Sequence, residues 1–346
     1  PFGTNDIIFG GNVQKWIRCA NTIRLRVAIR LSYVDPARAK SEAEKAVQAG
    51  VMLTKDHAAM MSTTENSVNI GTQWTYINPF CMSATSESFL KGYNDPRLPF
   101  FFNQGGGRLG GNMGYNGVRN GLPRVSKTTA IRSGAAGNSF VATQFLPIAD
   151  GGSNPPYPVM TAAEAYFIRA EGALRGWNMG GTAEELYELG IKRSLEHWTD
   201  ADAARIEAYT KSTALPSAVP DVYKTPPASD IPVKFDAAGS FERKLEQIIT
   251  QKWLDLHLTG WECWAERRRT GYPKGYAVIN SLNPNLKVTD LVRRVSYPPS
   301  EFSNNAQAVN SAISNLLGGA NNTVTRLWWD KKPLAEYPDL SATIPK

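Results

Sequence analysis

Apolar residues in this chain recur at three- and four-residue spacing in a few separated stretches, and they seldom alternate as a half-buried strand would. Trp16, Ala20, Ile23 and Val27 stripe a first predicted helix, Val13 to Leu31. Asp35-Pro36 opens a second as N-cap and first-turn proline, and Gly50 stops it after Gln48. A second pair is predicted over Ala162 to Arg175 and Ala183 to Trp198. Each begins on a Thr with Glu three residues later, Thr161 with Glu164 and Thr182 with Glu185, which is capping-box spacing. Small residues at Ala170, Gly190 and Ser194 let the two axes approach closely. A third pair spans Lys244 to Pro273. Leu245, Ile248, Ile249, Trp253 and Leu256 form one apolar stripe, Gly260 interrupts it, and Trp261, Trp264 and Ala265 resume it. Arg267, Arg268 and Arg269 suit the negative end of the helix dipole, and Gly271 and Pro273 mark the stop. A last helix is predicted from about Asn305 to Leu317, ended by Gly318-Gly319.

Two long stretches lack helical period. Residues 93–158 are rich in Gly, Pro, Asn and Ser, and residues 213–239 in Pro. Both exceed an ordinary connection, and loops of that length are usually functional or disordered. The predicted architecture is mainly α: tetratricopeptide-like helix pairs forming a scaffold, long irregular loops and minor β. Residues 1–346 read as one domain. The pairs are irregularly spaced, so no strict repeat is predicted.

Composition narrows the field. The 346 residues are 42% hydrophobic and 20% charged, ordinary for a globular protein. The net charge is +7, but the cations sit at helix ends or inside apolar motifs such as Arg293-Arg294. A nucleic-acid surface would gather them on one face with aromatics between, so no nucleic-acid partner is predicted. No apolar run reaches the roughly 18 residues of a membrane span. The three cysteines, Cys19, Cys81 and Cys263, have no C-x-x-C spacing, and Cys19 and Cys263 read as small hydrophobes.

No catalytic constellation, metal site or cofactor is predicted. His57, His197 and His257 make no metal-binding spacing. Gly105 to Gly110 fits G-x-G-x-x-G formally, but the glycines that follow leave no helix for it to open. Asp150 to Asn154 reads as a turn without the carboxylates of a calcium loop. Glu262 and Glu266 lie one helical turn apart beside Trp261 and Trp264, a pairing that glycosidases use. Neighbouring arginines would hold both ionised, so a structural role is expected. Loop aromatics remain: Trp74, Tyr76 and Phe80 in an Asn-rich stretch, Tyr115 among glycines, and Tyr157 among prolines. Such rings offer flat faces to sugar C–H groups while nearby amides meet hydroxyls, and these five are the candidate ligand-binding residues. The alternative is that they pin the loops to the helices. Trp253, Trp264 and Trp329 are expected to be buried structural residues. The stripe Val13, Trp16, Ala20 and Ile23 is expected to stay exposed.

The sequence also carries a resemblance. Gln251-Lys252-Trp253, with the run Trp264-Ala265-Glu266-Arg267-Arg268-Arg269-Thr270-Gly271-Tyr272-Pro273, resembles the C-terminal signature of the SusD-like (SusD/RagB) family. Arg293 to Pro298, Ser300-Glu301, Asn304-Asn305 and Trp328-Trp329-Asp330 follow in family order. Upstream, Trp16 to Arg26, Asp95-Pro96-Arg97-Leu98 and Ala163 to Glu171 fit as well. The resemblance implies a right-handed helical scaffold and a non-catalytic, lipid-anchored protein on the extracellular face of the cell outer membrane. It implies a SusC-like TonB-dependent transporter as partner and an oligosaccharide as the ligand handed on for import. Peptide or other nutrient capture is the alternative, and a glycoside hydrolase the more remote one. It further implies a C-terminal portion of a longer protein, whose lipidated cysteine and early helices lie outside this sequence. None of the five candidate site residues is carried over by a family motif.

Overall fold

Most of the longer helices start on a side chain that satisfies a first-turn N–H, whereas the helix that follows Thr259 begins without such a bond. The computed structural model describes residues 3–63, 81–106, 110–122, 137–146, 153 and 155–345. Asn12 caps α1 (Val13–Arg30) by accepting from Lys15 N–H, and Asp35 caps α2 (Pro36–Gln48) by accepting from Arg38 N–H. Ser83 caps α3 (Ala84–Gly92), which is followed by the single turn α4 (Leu98–Phe101). Thr161 caps α5 (Ala162–Leu174), and Thr182 caps α6 (Ala183–Trp198) with a complete capping box. The box is incomplete at α5, where the Glu164 carboxylate turns instead to Arg26. Next come α7 (Ala203–Thr210), α8 (Phe241–Asp255) and α9 (Gly260–Thr270), the last closed by Gly271 in the left-handed conformation. The final predicted helix is two, α10 (Pro299–Asn304) and α11 (Ala306–Leu316). Among the described residues the strands are β1 (Ala59–Met61) and β2 (Tyr157–Met160), one antiparallel ribbon pairing Met61 with Tyr157.

Stacking follows chain order: α1 packs on α2 and α5, α5 on α6 and α8, and α6 on α7 and α8. The middle layer, α5, is buried on every side from Ala162 to Gly172. It approaches α6 closely because Gly190 has no side chain. A Cβ there would lie 2.6 Å from Phe167 Cε1.

Two helices face differently from their apolar stripes. The core side of α1 is Cys19, Thr22, Leu25, Ala28 and Ile29, so Val13, Trp16, Ile17, Ala20, Ile23 and Val27 point outward. That outward stripe agrees with the sequence expectation. On α9 the apolar stripe does not turn inward: its buried residues are Glu266, Arg269 and Thr270, and Trp261 is 78% exposed. A network of charges takes the place of apolar packing. Arg269 binds Glu171 through two hydrogen bonds of 2.6 Å and also binds Glu266. Arg26 binds Glu164, and Arg30 binds Glu262. Lys252, 1% exposed, has Glu266, Glu164 and Glu262 at 3.3, 3.5 and 3.9 Å. Among the described residues Arg97 is the largest fully buried side chain, and it meets Asp95, Ser194, Tyr209 and Gln251. Opposite charge offsets the cost of burial, although Lys252 Nζ, Glu262 Oε1 and Glu266 Oε1 form no hydrogen bond among the described residues.

Candidate functional site

The irregular segments are tied to one another through their stems. Asn103 N–H donates to Phe140 O at 2.9 Å, and the Asn103 side chain exchanges hydrogen bonds with Thr143. Asn116 N–H donates to Ser139 Oγ, and its side-chain amide donates to Met113 O and Gly137 O. Met82 N–H donates to Ser139 O, Val118 N–H to Met82 O, and Ala84 N–H to Val118 O, joining the loops to the start of α3. Gln144 donates to Phe100 O, Ser153 Oγ to Gln144 O, and Thr63 Oγ1 to Pro155 O, which reaches the β1–β2 ribbon. Backbone polar groups that no sheet or helix could pair are satisfied here by short amide and hydroxyl side chains. Phe102, Phe140, Val141 and Phe145 anchor the underside in the core.

Two of the five candidate residues fall on this platform. Tyr115 is half-buried against the core. Burial raises its pKa, opposed by a side-chain hydrogen bond with Gln104, and its carbonyl accepts from Lys91 Nζ at 3.1 Å. Tyr157 is half-buried in β2, so it is a strand residue, not the free loop aromatic expected of its proline-rich context. Pro158 and Met160 take the buried side of the strand, leaving Tyr157 and Val159 on the other. Trp74, Tyr76 and Phe80 lie outside the described residues.

The scaffold adds exposed aromatics that were not among the five candidates. Trp261 and Trp328 are 78% and 69% exposed, and the Trp264 ring centre is 5.8 Å from that of Trp261. Trp253, Trp264 and Trp329, expected to be buried, are half-buried. Trp253 packs edge-on to Phe89, whereas Trp264 lines a cavity. The misplaced signal was Glu262, Glu266 and Arg269 on the same helix: once they face inward, the tryptophans must face out.

The titratable groups show what the interior can do chemically. Burial opposes ionisation of Glu164, Glu171 and Glu266, but neighbouring Arg and Lys outweigh it and hold all three below the usual carboxylate range. Asp255 moves the other way, pushed up to about 6 by burial. It accepts from Thr161 Oγ1 and from Trp198 Nε1, and it is fully enclosed. His257 stacks on Phe101 at 4.0 Å, and burial lowers its pKa to about 3. His197 is lowered to about 4, again by burial. Among the described residues no three His, Cys, Asp or Glu side chains come together as metal ligands.

A stack of helix pairs that displays a knitted loop platform is the class of molecule these features define. A family model described as SusD and RagB outer membrane lipoprotein matches residues 2–330. The chain belongs to the SusD-like family. A chitin-binding SusD homolog from Flavobacterium johnsoniae superposes with a TM-score of 0.81 at 37% identity, covering 96% of this chain and 67% of that one. A SusD homolog from Bacteroides thetaiotaomicron gives a TM-score of 0.82 at 34% identity, covering 96% of this chain and 68% of that one. A third, from Bacteroides uniformis, gives 0.80 at 32% identity over 94% and 67%. The match thus spans about two thirds of each of these structures. Comparison with curated protein sequences returns no match.

Proposed function

We propose that this protein captures oligosaccharides without chemically altering them, on the extracellular face of the outer membrane, for delivery to a SusC-like TonB-dependent transporter. The observation that carries the reading is the loop platform, whose described stems present amides, hydroxyls and tyrosine rings with little formal charge. Neutral donors and acceptors beside aromatic faces match the hydroxyls and C–H patches of a sugar. Family membership supports it, and the chitin-binding homolog at 37% identity makes N-acetylglucosamine oligomers the first ligands to try. Trp74, Tyr76, Phe80, Tyr115 and Tyr157 are the residues assigned to contact the ligand. Glu262 and Glu266 are tied to Arg30 and Arg269, so neither offers the proton that glycoside hydrolysis requires.

The test is calorimetry with chitooligosaccharides, other glycans and peptides, run beside an assay for released sugar. Saturable oligosaccharide binding on the order of micromolar to millimolar with no product is expected, since shallow stacking buries little surface. Binding of peptides alone would replace the ligand class. Released sugar would overturn the non-catalytic reading.

A further inference from the structure

Three consecutive arginines end α9, and they meet different fates. Arg269 has both Nη atoms on carboxylates. Arg268 lies 3.8 Å over the Trp264 ring and donates to Arg293 O at 2.9 Å. The half-buried Arg267 side chain forms no ion pair and no hydrogen bond among the described residues, while its backbone carbonyl accepts from Gly271 N–H. Its Nε is buried without a partner, and burial alone acts on its pKa, lowering it. A guanidinium is ionised under ordinary conditions, and leaving one desolvated without a counter-ion is costly.

Arg267 lines a cavity of about 190 Å³, with Thr85, Trp264 and Arg268 also in its wall. Gly275 leaves room beside the guanidinium. A Cβ on it would lie 3.1 Å from Arg267 Nη2, 3.5 Å from Nη1 and 3.4 Å from Thr85 Oγ1, so these three atoms stand close together against the Gly275 backbone. Thr85 is in the first turn of α3. Around it, Ala84 N–H donates to Val118 O, Ser86 N–H to Ser83 Oγ and Glu87 N–H to Ser83 O. The Thr85 N–H and hydroxyl have no partner among the described residues, and a helix N-terminus favours negative charge. Asp290 is the carboxylate in the wall, and its Oδ2 accepts from Lys287 N–H at 2.8 Å. It does not figure among the charges acting on Arg267.

We infer that this cavity is a binding site for a single oxyanion group (carboxylate, sulfate or phosphate) held between the Arg267 guanidinium and the first turn of α3. The cavity is smaller than the roughly 300–1,000 Å³ of drug-sized pockets. It suits one small ion, or one acidic group carried on a sugar unit at its mouth.

Sulfate, phosphate, acetate, glucuronate and neutral glucose are titrated against the whole chain at constant ionic strength, with sodium chloride as balance. Calorimetry and thermal melting are both recorded. Oxyanions should bind and raise the melting temperature dose-dependently, and glucose should do neither. Arg267→Gln should weaken oxyanion binding at least tenfold, and Gly275→Ala should weaken it by pressing a methyl group against the guanidinium and the Thr85 hydroxyl. In chloride alone Arg267→Gln should melt no lower than the native chain, because it removes an unpaired charge. Binding of inorganic ions but not glucuronate assigns the site to free ions; binding of both assigns it to acidic sugars as well. Equal sulfate affinity in Arg267→Gln and the native chain, or no difference between sulfate and chloride, would overturn the inference. So would a marked drop in melting temperature of Arg267→Gln in chloride. Free ions test this cavity whether or not any sugar binds the loop platform.

Discussion

The interior of the helix stack and the loop platform use opposite kinds of polar contact. In the stack, charged side chains reach between helices distant in the chain: Arg26 to Glu164, Arg30 to Glu262, and Arg269 to Glu171. On the platform, neutral amides bind the backbone of other loop segments, as Asn103, Asn116 and Gln144 do. The difference follows from what each must do. Helices satisfy their own backbones, so their side chains are free to lock one layer onto the next. Loops cannot, so part of the hydrogen-bonding capacity of their side chains goes to holding shape. Stems held this way rely on neutral polar groups, which suits a hydroxyl-rich ligand.

The comparison breaks if the charges of the stack prove dispensable. Replacing Arg97 with Met strands the buried Asp95 carboxylate, and the expected loss is about 3–5 kcal/mol by urea denaturation. A loss below 1 kcal/mol would mean that water or rearrangement satisfies the site. Gly190→Ala tests the close approach of α5 and α6. Its new methyl would meet the Phe167 ring, and a loss of about 1–3 kcal/mol is expected from the same measurement.

Acid should weaken the stack before the platform. Glu164, Glu171 and Glu266 have lowered pKa values, so their stabilisation is present above the unfolded carboxylate value and fades as pH falls through the folded ones. His197 and His257, lowered to about 4 and about 3, are neutral in the fold. The unfolded chain takes up their protons first, so they erode stability as pH falls below about 6.5. Asp255, raised to about 6, acts oppositely: its contribution is full below the unfolded value and is lost as pH rises through about 6. Glu246, also raised by burial, acts with Asp255, and the five lowered groups against these two predict a net fall in melting temperature from pH 6.5 to 4. His257→Phe should flatten that slope, and an unchanged slope would remove His257 from the explanation.

The smallest stability effect is expected on the platform. Tyr157→Ala should change stability by only about 1 kcal/mol or less, as loop and edge substitutions commonly do, and Trp74→Ala is made beside it to test binding. Either should weaken oligosaccharide binding severalfold by calorimetry. Unchanged affinity in both would move the ligand surface elsewhere, with exposed Trp261 and Trp328 the next residues to replace.

Much of the fold was legible because its signals are local. The caps Asp35, Thr161 and Thr182 fix where helices begin, and Gly271 fixes where α9 ends, through hydrogen bonds and backbone angles set within a few residues. The family resemblance was legible for a related reason: its motifs are the structural anchors. Asp330 of the closing motif receives Arg293 and Arg326 at 2.9 Å and the Tyr337 hydroxyl at 3.1 Å. The candidate site was legible only in part. Tyr115 was placed on a loop that proves knitted and ordered, whereas Tyr157 was drawn into a strand by pairing with Met61 far upstream.

By itself, then, the sequence determined where helices run, how they are capped, and which two faces each can offer. Tertiary structure decided which face meets the core. Periodicity cannot choose between a stripe of Trp261 and Trp264 and a stripe of Glu266 and Arg269, because the choice depends on Glu171 and Lys252 arriving from other helices. It likewise decided that, of three adjacent arginines, Arg269 would find carboxylates while Arg267 would face a cavity. Burying a charge is favourable only where its partner already stands, and that partner is set by packing rather than by neighbours in the chain.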